Sequence, residues 1–82
     1  MKKVYVYYEN FLNKPKSTSI YFEVFENYKK AHDFMDKRKN EILQNKDCIL
    51  DKLETGINKS WLRIWNNENY LDLIIEPKII KE

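Results

Sequence analysis

The chain has one glycine, one cysteine, one histidine and two prolines in 82 residues, and each scarcity removes a class of function. A single glycine excludes the Walker A loop, the GxGxxG dinucleotide turn and the GxSxG elbow, all of which need at least two. A single cysteine, Cys48, forms no internal disulfide and fits a reducing compartment. One histidine and one cysteine cannot supply the usual four nitrogen and sulfur ligands of zinc, so no metal and no other cofactor is expected. No apolar run has the length that spans a bilayer. Glu9 and Asn10 end the apolar stretch that follows Met1-Lys2-Lys3 too early for a signal peptide. The expectation is a soluble, cytoplasmic chain with no membrane partner.

Neither sign of charge dominates. Fifteen Lys and Arg stand against thirteen Asp and Glu, for a net charge of +2, which is well below the footprint of a dedicated nucleic-acid binder. The basic residues Lys29, Lys30, Lys37, Arg38 and Lys39 are interrupted by Asp33, Asp36 and Glu41, so they read as a solvated, compensated face. What the chain has in quantity is apolar and aromatic surface, 43% and 15% of its residues. That is enough for one folded domain, residues 1–82, although a chain this short buries only about 60–65% of its unfolded surface.

Four stretches alternate with the period of a strand, in which successive side chains point to opposite faces. Val4 and Val6 oppose Tyr5 and Tyr7. Ile20, Phe22 and Val24 oppose Tyr21, Glu23 and Phe25. Leu62 and Ile64 oppose Trp61, Arg63 and Trp65, and Leu71, Leu73 and Ile75 oppose Tyr70, Asp72 and Ile74. The pattern predicts one aliphatic core face and one aromatic face carrying single charges. Expected core positions are Val4, Val6, Phe22, Val24, Phe34, Ile42, Leu62, Ile64, Leu71 and Leu73.

Between the strands, residues 9–19 hold Asn10, Asn13, Pro15, Ser17, Thr18 and Ser19 and are expected to form a loop with an exposed tip at 14–16. Asn27 has the chemistry of a helix N-cap. From Tyr28 the apolar spacing becomes helical through Ala31, Phe34, Met35 and Ile42, and it resumes at Leu43, Ile49, Leu50 and Leu53. Asn45, Lys46 and Asp47 either continue or break that helix. One long helix over 27–55, kinked there, is the favoured reading, with Gly56 closing it in a left-handed cap. Asn66-Asn67-Glu68-Asn69 marks a hairpin, and an even loop pairs Trp65 with Tyr70, Ile64 with Leu71, Arg63 with Asp72 and Leu62 with Leu73. Glu76-Pro77 should end the last strand, leaving Lys78-Ile79-Ile80 as an apolar tail. The fold expected is a small ββαββ α+β domain, a mainly antiparallel four-stranded sheet with the helix on one face.

His32 and Asp36 sit one turn apart, as a base and its orienting carboxylate would, but a solvated histidine among Lys29, Asp33 and Lys37 is the better reading. Cys48 beside Ile49 and Leu50 reads as a small buried or half-buried residue. The aromatic face is the candidate site, with Tyr21, Trp61, Arg63, Trp65 and Tyr70 as anchors. Trp, Tyr and Arg together have the composition of a protein-interface hot spot. The expected function is therefore non-enzymatic docking on a larger protein, and a homodimer is expected over a monomer because it would bury the aromatic face and the apolar tail. One concrete form is a phage or mobile-element inhibitor of a host defence nuclease. The alternative is a single-stranded nucleic-acid binder or small metal-independent nuclease, with rings stacking on bases and Arg63, Lys3 and Lys59 holding phosphates. Glu23 and Asp72 on the same face weigh against it.

Overall fold

The computed structural model describes residues 2–13, 16–56 and 59–80. Their order is β1 (Lys2–Asn13), β2 (Lys16–Phe25), α1 (Tyr28–Leu43), β3 (Cys48–Gly56), β4 (Lys59–Asn66) and β5 (Asn69–Ile80). The strands form one antiparallel sheet in the order β2-β1-β5-β4-β3. The α+β class and the antiparallel sheet agree with the sequence pattern. The sheet has five strands among the described residues, where four were expected.

The additional strand comes from the second half of the expected helix. Asn27 caps α1 as anticipated, its side chain accepting from the Lys30 amide at 2.9 Å. At the other end Asn45 intervenes: its side chain accepts from the Asp47 amide at 2.9 Å, and its carbonyl accepts from Cys48 at 3.0 Å. An Asx turn of this kind offers the backbone an alternative to the helical ladder. The chain then pairs along β4, with a register shift between Leu50 and Lys52. Gly56 is accordingly the last residue of β3 and no helix cap, and its φ is not positive.

Two further boundaries differ from expectation. β1 and β2 run through most of the polar stretch expected to be a loop, and residues 14–15 of its expected tip lie outside the described residues. β5 does not stop at Glu76-Pro77. It continues to Ile80 beside β1, with Pro77 opposite Tyr5. Pairing with β4 ends at Ser60 and Ile75, so at Pro77 the strand has a described neighbour on one side only, and a residue without an N–H donor is tolerated. The β4–β5 hairpin has the predicted register throughout, and Asn67 takes a φ of 58° in its two-residue turn. Turns of this length need that left-handed geometry, and asparagine accepts it readily.

The core corrects the face assignment. Directly opposed residues of antiparallel strands share a face, and β1 pairs Tyr7 with Ile75 and Val6 with Glu76. The tyrosine side of β1 thus continues the aliphatic side of β5. Tyr7, Leu62, Ile64, Leu73 and Ile75 are buried together against Ala31 and Met35 of α1, with Tyr5, Phe25, Phe34, Ile42 and Leu71 packed around them. Phe22 and Val24, expected in the core, are 69% and 50% exposed, and Val6 is only half-buried. Val4 is buried as expected, though on the side away from Tyr7.

The aromatic side of β1 and β2 is the one under the helix because both its rings and its charge find partners there. Phe34 meets Tyr7 edge-on at 5.0 Å, stacks on Tyr21 at 5.9 Å and packs on Phe25 at 5.4 Å. Rings of this size contribute more buried area than valines do. Glu9, 1% exposed, accepts from the Tyr7 hydroxyl at 2.5 Å and from Arg38 Nε and Nη2 at 2.7 and 3.0 Å. A carboxylate in the core is tolerated only when paired and hydrogen-bonded in this way.

Candidate functional site

α1 covers one face of the sheet. The opposite face carries the even-numbered residues of β1 from Lys2 to Asn10 and of β5, the odd-numbered residues of β4, and Ile49 and Asp51 of β3. No described element packs across it. Of the five anchors read from the sequence, Trp61, Arg63, Trp65 and Tyr70 come together there. Tyr21 does not. It lies on the helix side of β2, stacked on Phe34, with its hydroxyl donating to Glu23 at 2.7 Å.

The four that meet form a tightly paired block. Arg63 Nε and Nη2 donate to the two oxygens of Asp72 at 2.8 and 3.0 Å. The guanidinium lies 3.9 Å from the Tyr70 ring centroid and 5.1 Å from that of Trp61. Trp65 packs edge-on against Tyr70 at 4.8 Å and donates its indole N–H to Asp51 at 2.6 Å. Hydrogen bonding to Asp72 holds the Arg63 pKa above its ordinary value. The cation is thus neutralised and its planar face used for stacking, a role lysine cannot fill.

Beside this block, Phe22, which the sequence pattern assigns to the core, completes a transverse row. The pairings of Phe22 with Tyr8, Tyr8 with Ile74 and Ile74 with Trp61 run it across four strands. The Tyr8 hydroxyl donates to Glu76 at 2.8 Å, and its pKa is pushed up to about 12, first by burial and then by that carboxylate. Ile49 at the β3 edge is 66% exposed. Phe22 was missed because alternation shows which residues share a face and not which face is covered. Next to Trp61 the surface dips into a cleft of about 370 Å³.

The remaining candidates lie elsewhere. His32 Nδ1 is 3.8 Å from Asp36 on the outer side of α1, and Cys48 is half-buried at the start of β3. Lys29 with Asp33 and Lys39 with Asp36 pair along the helix at 3.2 and 3.4 Å, as a compensated face requires. Lys3 projects over Tyr5 on the helix side, apart from Arg63 and Lys59, and Glu23 is on that side too. Among the described residues no group of three or more His, Cys, Asp or Glu is placed to hold a metal ion, and no helix is long and apolar enough to cross a membrane. Compared with protein-family models, curated proteins and solved structures, the chain matches none.

Proposed function

We propose that this chain is a non-enzymatic protein-binding module that docks on a larger protein through the face of the sheet that α1 leaves open. The carrying observation is the row of Phe22, Tyr8, Ile74 and Trp61 beside the Arg63–Tyr70–Trp65 block, on a surface no described element packs across. Large contiguous apolar patches on small soluble domains mark interaction sites, whereas scattered apolar residues do not. The molecule is a slab with extents of 43 × 25 × 18 Å, and its broad side exceeds the roughly 800 Å² per partner of a standard interface. A module of this kind acts by occupying a surface, as an inhibitor would.

Binding of single-stranded nucleic acid has less support. Stacking needs free rings and cations free for phosphate, yet Asp72 holds Arg63 and Asp51 holds the indole of Trp65. Quenching of tryptophan fluorescence by DNA or RNA homopolymers at low salt tests that reading, and none is expected.

Docking is tested by recovery of partners from the native host with wild type and with Phe22→Ala, followed by titration of the recovered partner. Phe22 is 69% exposed, so its truncation leaves the fold intact. The expected result is loss of the partner with the variant. Equal recovery by both would remove this face from the account. Light scattering at micromolar concentration separates a second copy of the chain from an external partner.

A further inference from the structure

We propose that β3 is a self-association edge, pairing antiparallel with β3 of a second copy about a two-fold axis between Asp51 and Lys52. Such pairing uses the rim of the sheet, so it stands or falls independently of docking by the open face.

β3 is the last strand of the sheet, with β4 on one side and no described strand on the other. The outer backbone groups of an edge strand form a row with which another extended segment can pair. Apolar side chains accompany that row. Leu50 and Leu53 oppose Ile64 and Leu62, which are buried beneath α1, so these four residues share the helix side of the sheet. α1 does not cover the two at the edge, for Leu50 is 38% and Leu53 53% exposed. At the opposite edge the helix side is already occupied, because Phe34 of α1 stacks on Tyr21 of β2.

The irregularity of β3 selects what pairs with it. Residues three apart on a regular strand point to opposite faces, yet Leu50 and Leu53 share one. A bulge is the reason: the register shifts between Leu50 and Lys52, and Asp51 is passed over in the pairing with β4. The Asp51 carboxylate is turned to the open side, where it accepts the Trp65 indole N–H at 2.6 Å. A bulge blunts an edge against most strands, because its extra residue puts a regular strand out of step. A strand with the same bulge, running the other way, stays in step, and a second copy of β3 is such a strand. Setting Leu50 against Leu53 of the second copy also sets Leu53 against its Leu50, with Asp51 and Lys52 between them on each chain. The leucines of both copies then meet on the helix side. The same register brings residues of opposite charge, Asp51 and Lys52, face to face on both sides of the axis, an arrangement that favours cross-strand pairing.

The contact is isologous and closes at two copies. Because paired residues share a face, both helices lie on one side of the joined sheet and both open faces on the other. A dimer built this way leaves the open faces uncovered and offers them side by side, so that a target contacting both gains from effective concentration.

Sedimentation velocity of the intact chain from micromolar to millimolar concentration, with amide hydrogen exchange at both ends of that range, tests the proposal. A reversible monomer–dimer equilibrium is expected, with the slowing of exchange in the dimer confined to β3. Leu50→Lys and Leu53→Lys, at exposed positions, should each weaken the dimer at least about tenfold, since either change acts twice about the axis. Ile79→Lys, at a 63% exposed position on β5, should leave it within about twofold of wild type, as a change remote from the contact does. Chemical denaturation alongside shows that each variant is folded, and exchange in the wild type reads the edge without any substitution. A chain that stays monomeric to millimolar concentration, a dimer as strong in both leucine variants as in wild type, or exchange slowed elsewhere than in β3 would overturn the proposal. The two readings fail separately. If Phe22→Ala abolishes partner recovery while the chain remains monomeric, docking stands and the β3 dimer falls. If the dimer forms through β3 while partner recovery ignores Phe22, the dimer stands and docking by the open face falls.

Discussion

On the helix side of the sheet Tyr7 donates to Glu9, and on the open side the next residue, Tyr8, donates to Glu76. The chemistry is the same, a phenol held by a carboxylate, and the surroundings are opposite. Glu9 is sealed beneath α1 and also held by Arg38, whereas Glu76 is exposed and no ion pair to it is among those described. Burial and the adjacent carboxylate push the Tyr7 pKa far above its ordinary value, and the same causes acting on a less buried ring take Tyr8 to about 12. A third pair, Tyr21 with Glu23, is raised chiefly by its hydrogen bond. The covered pair is complete, with every acceptor matched by a donor, and its contribution is to stability. The open pair keeps acceptor capacity at an exposed carboxylate.

Substitutions on the two faces should therefore separate stability from binding. The largest effect is expected for Leu62→Ala under α1, a loss of about 2–5 kcal/mol in chemical denaturation. A loss below about 1 kcal/mol would put Leu62 outside the core. Arg38→Met comes next. It leaves the Glu9 carboxylate buried without its cation, and breaking such a pair costs about 3–5 kcal/mol; the Arg38 side chain is 33% exposed, which favours the lower end of that range. Adding Glu9→Gln to Arg38→Met should restore part of the loss, because the unpaired charge is then gone. No restoration would mean that the pair acts through packing alone.

The covered and open pairs also differ with pH. A phenol whose folded pKa is raised stabilises the fold fully below the unfolded value, near 10, and loses that contribution as pH rises through the folded value. For Tyr8 that window runs from about pH 10 to about 12, and the loss there should be reversible. Glu76→Gln removes the second cause of the shift, so the phenolate band of Tyr8 should appear at lower pH in the variant, judged against Tyr8→Phe. An unchanged titration would mean that burial alone sets it.

How much of this was legible in the sequence depended on distance along the chain. The β4–β5 hairpin was read in full because Arg63 and Asp72, Trp65 and Tyr70, and the asparagine turn all demand one register. The Asn27 cap was equally local. The register of β1 on β5 was not legible. It joins Tyr7 to Ile75 across most of the chain, and alternation within each strand is unchanged if the whole strand turns over. That one parity moved Tyr5, Tyr7 and Phe25 beneath the helix and Phe22 and Val24 into the open, splitting Tyr21 from Trp61, Arg63, Trp65 and Tyr70. β3 was hidden for another reason. Ile49, Leu50 and Leu53 fit a helical stripe as well as a strand, and a free edge of β4 decided between them. Leu50 and Leu53 remain 38% and 53% exposed at that edge, so no burial pattern along the segment announced a strand.

Phe22 and Phe34 test the central claim most directly, measured together for stability and for affinity to the recovered partner. Phe22→Ala is expected to stay within about 0.5 kcal/mol of wild-type stability and to lose about 2 kcal/mol of binding, roughly 30-fold in Kd. Phe34→Ala, which removes the ring packed between Tyr7, Tyr21 and Phe25, is expected to lose stability and, while folded, to bind as wild type does. Partner affinity that follows Phe34 and ignores Phe22 would contradict the assignment of the open face as the docking surface.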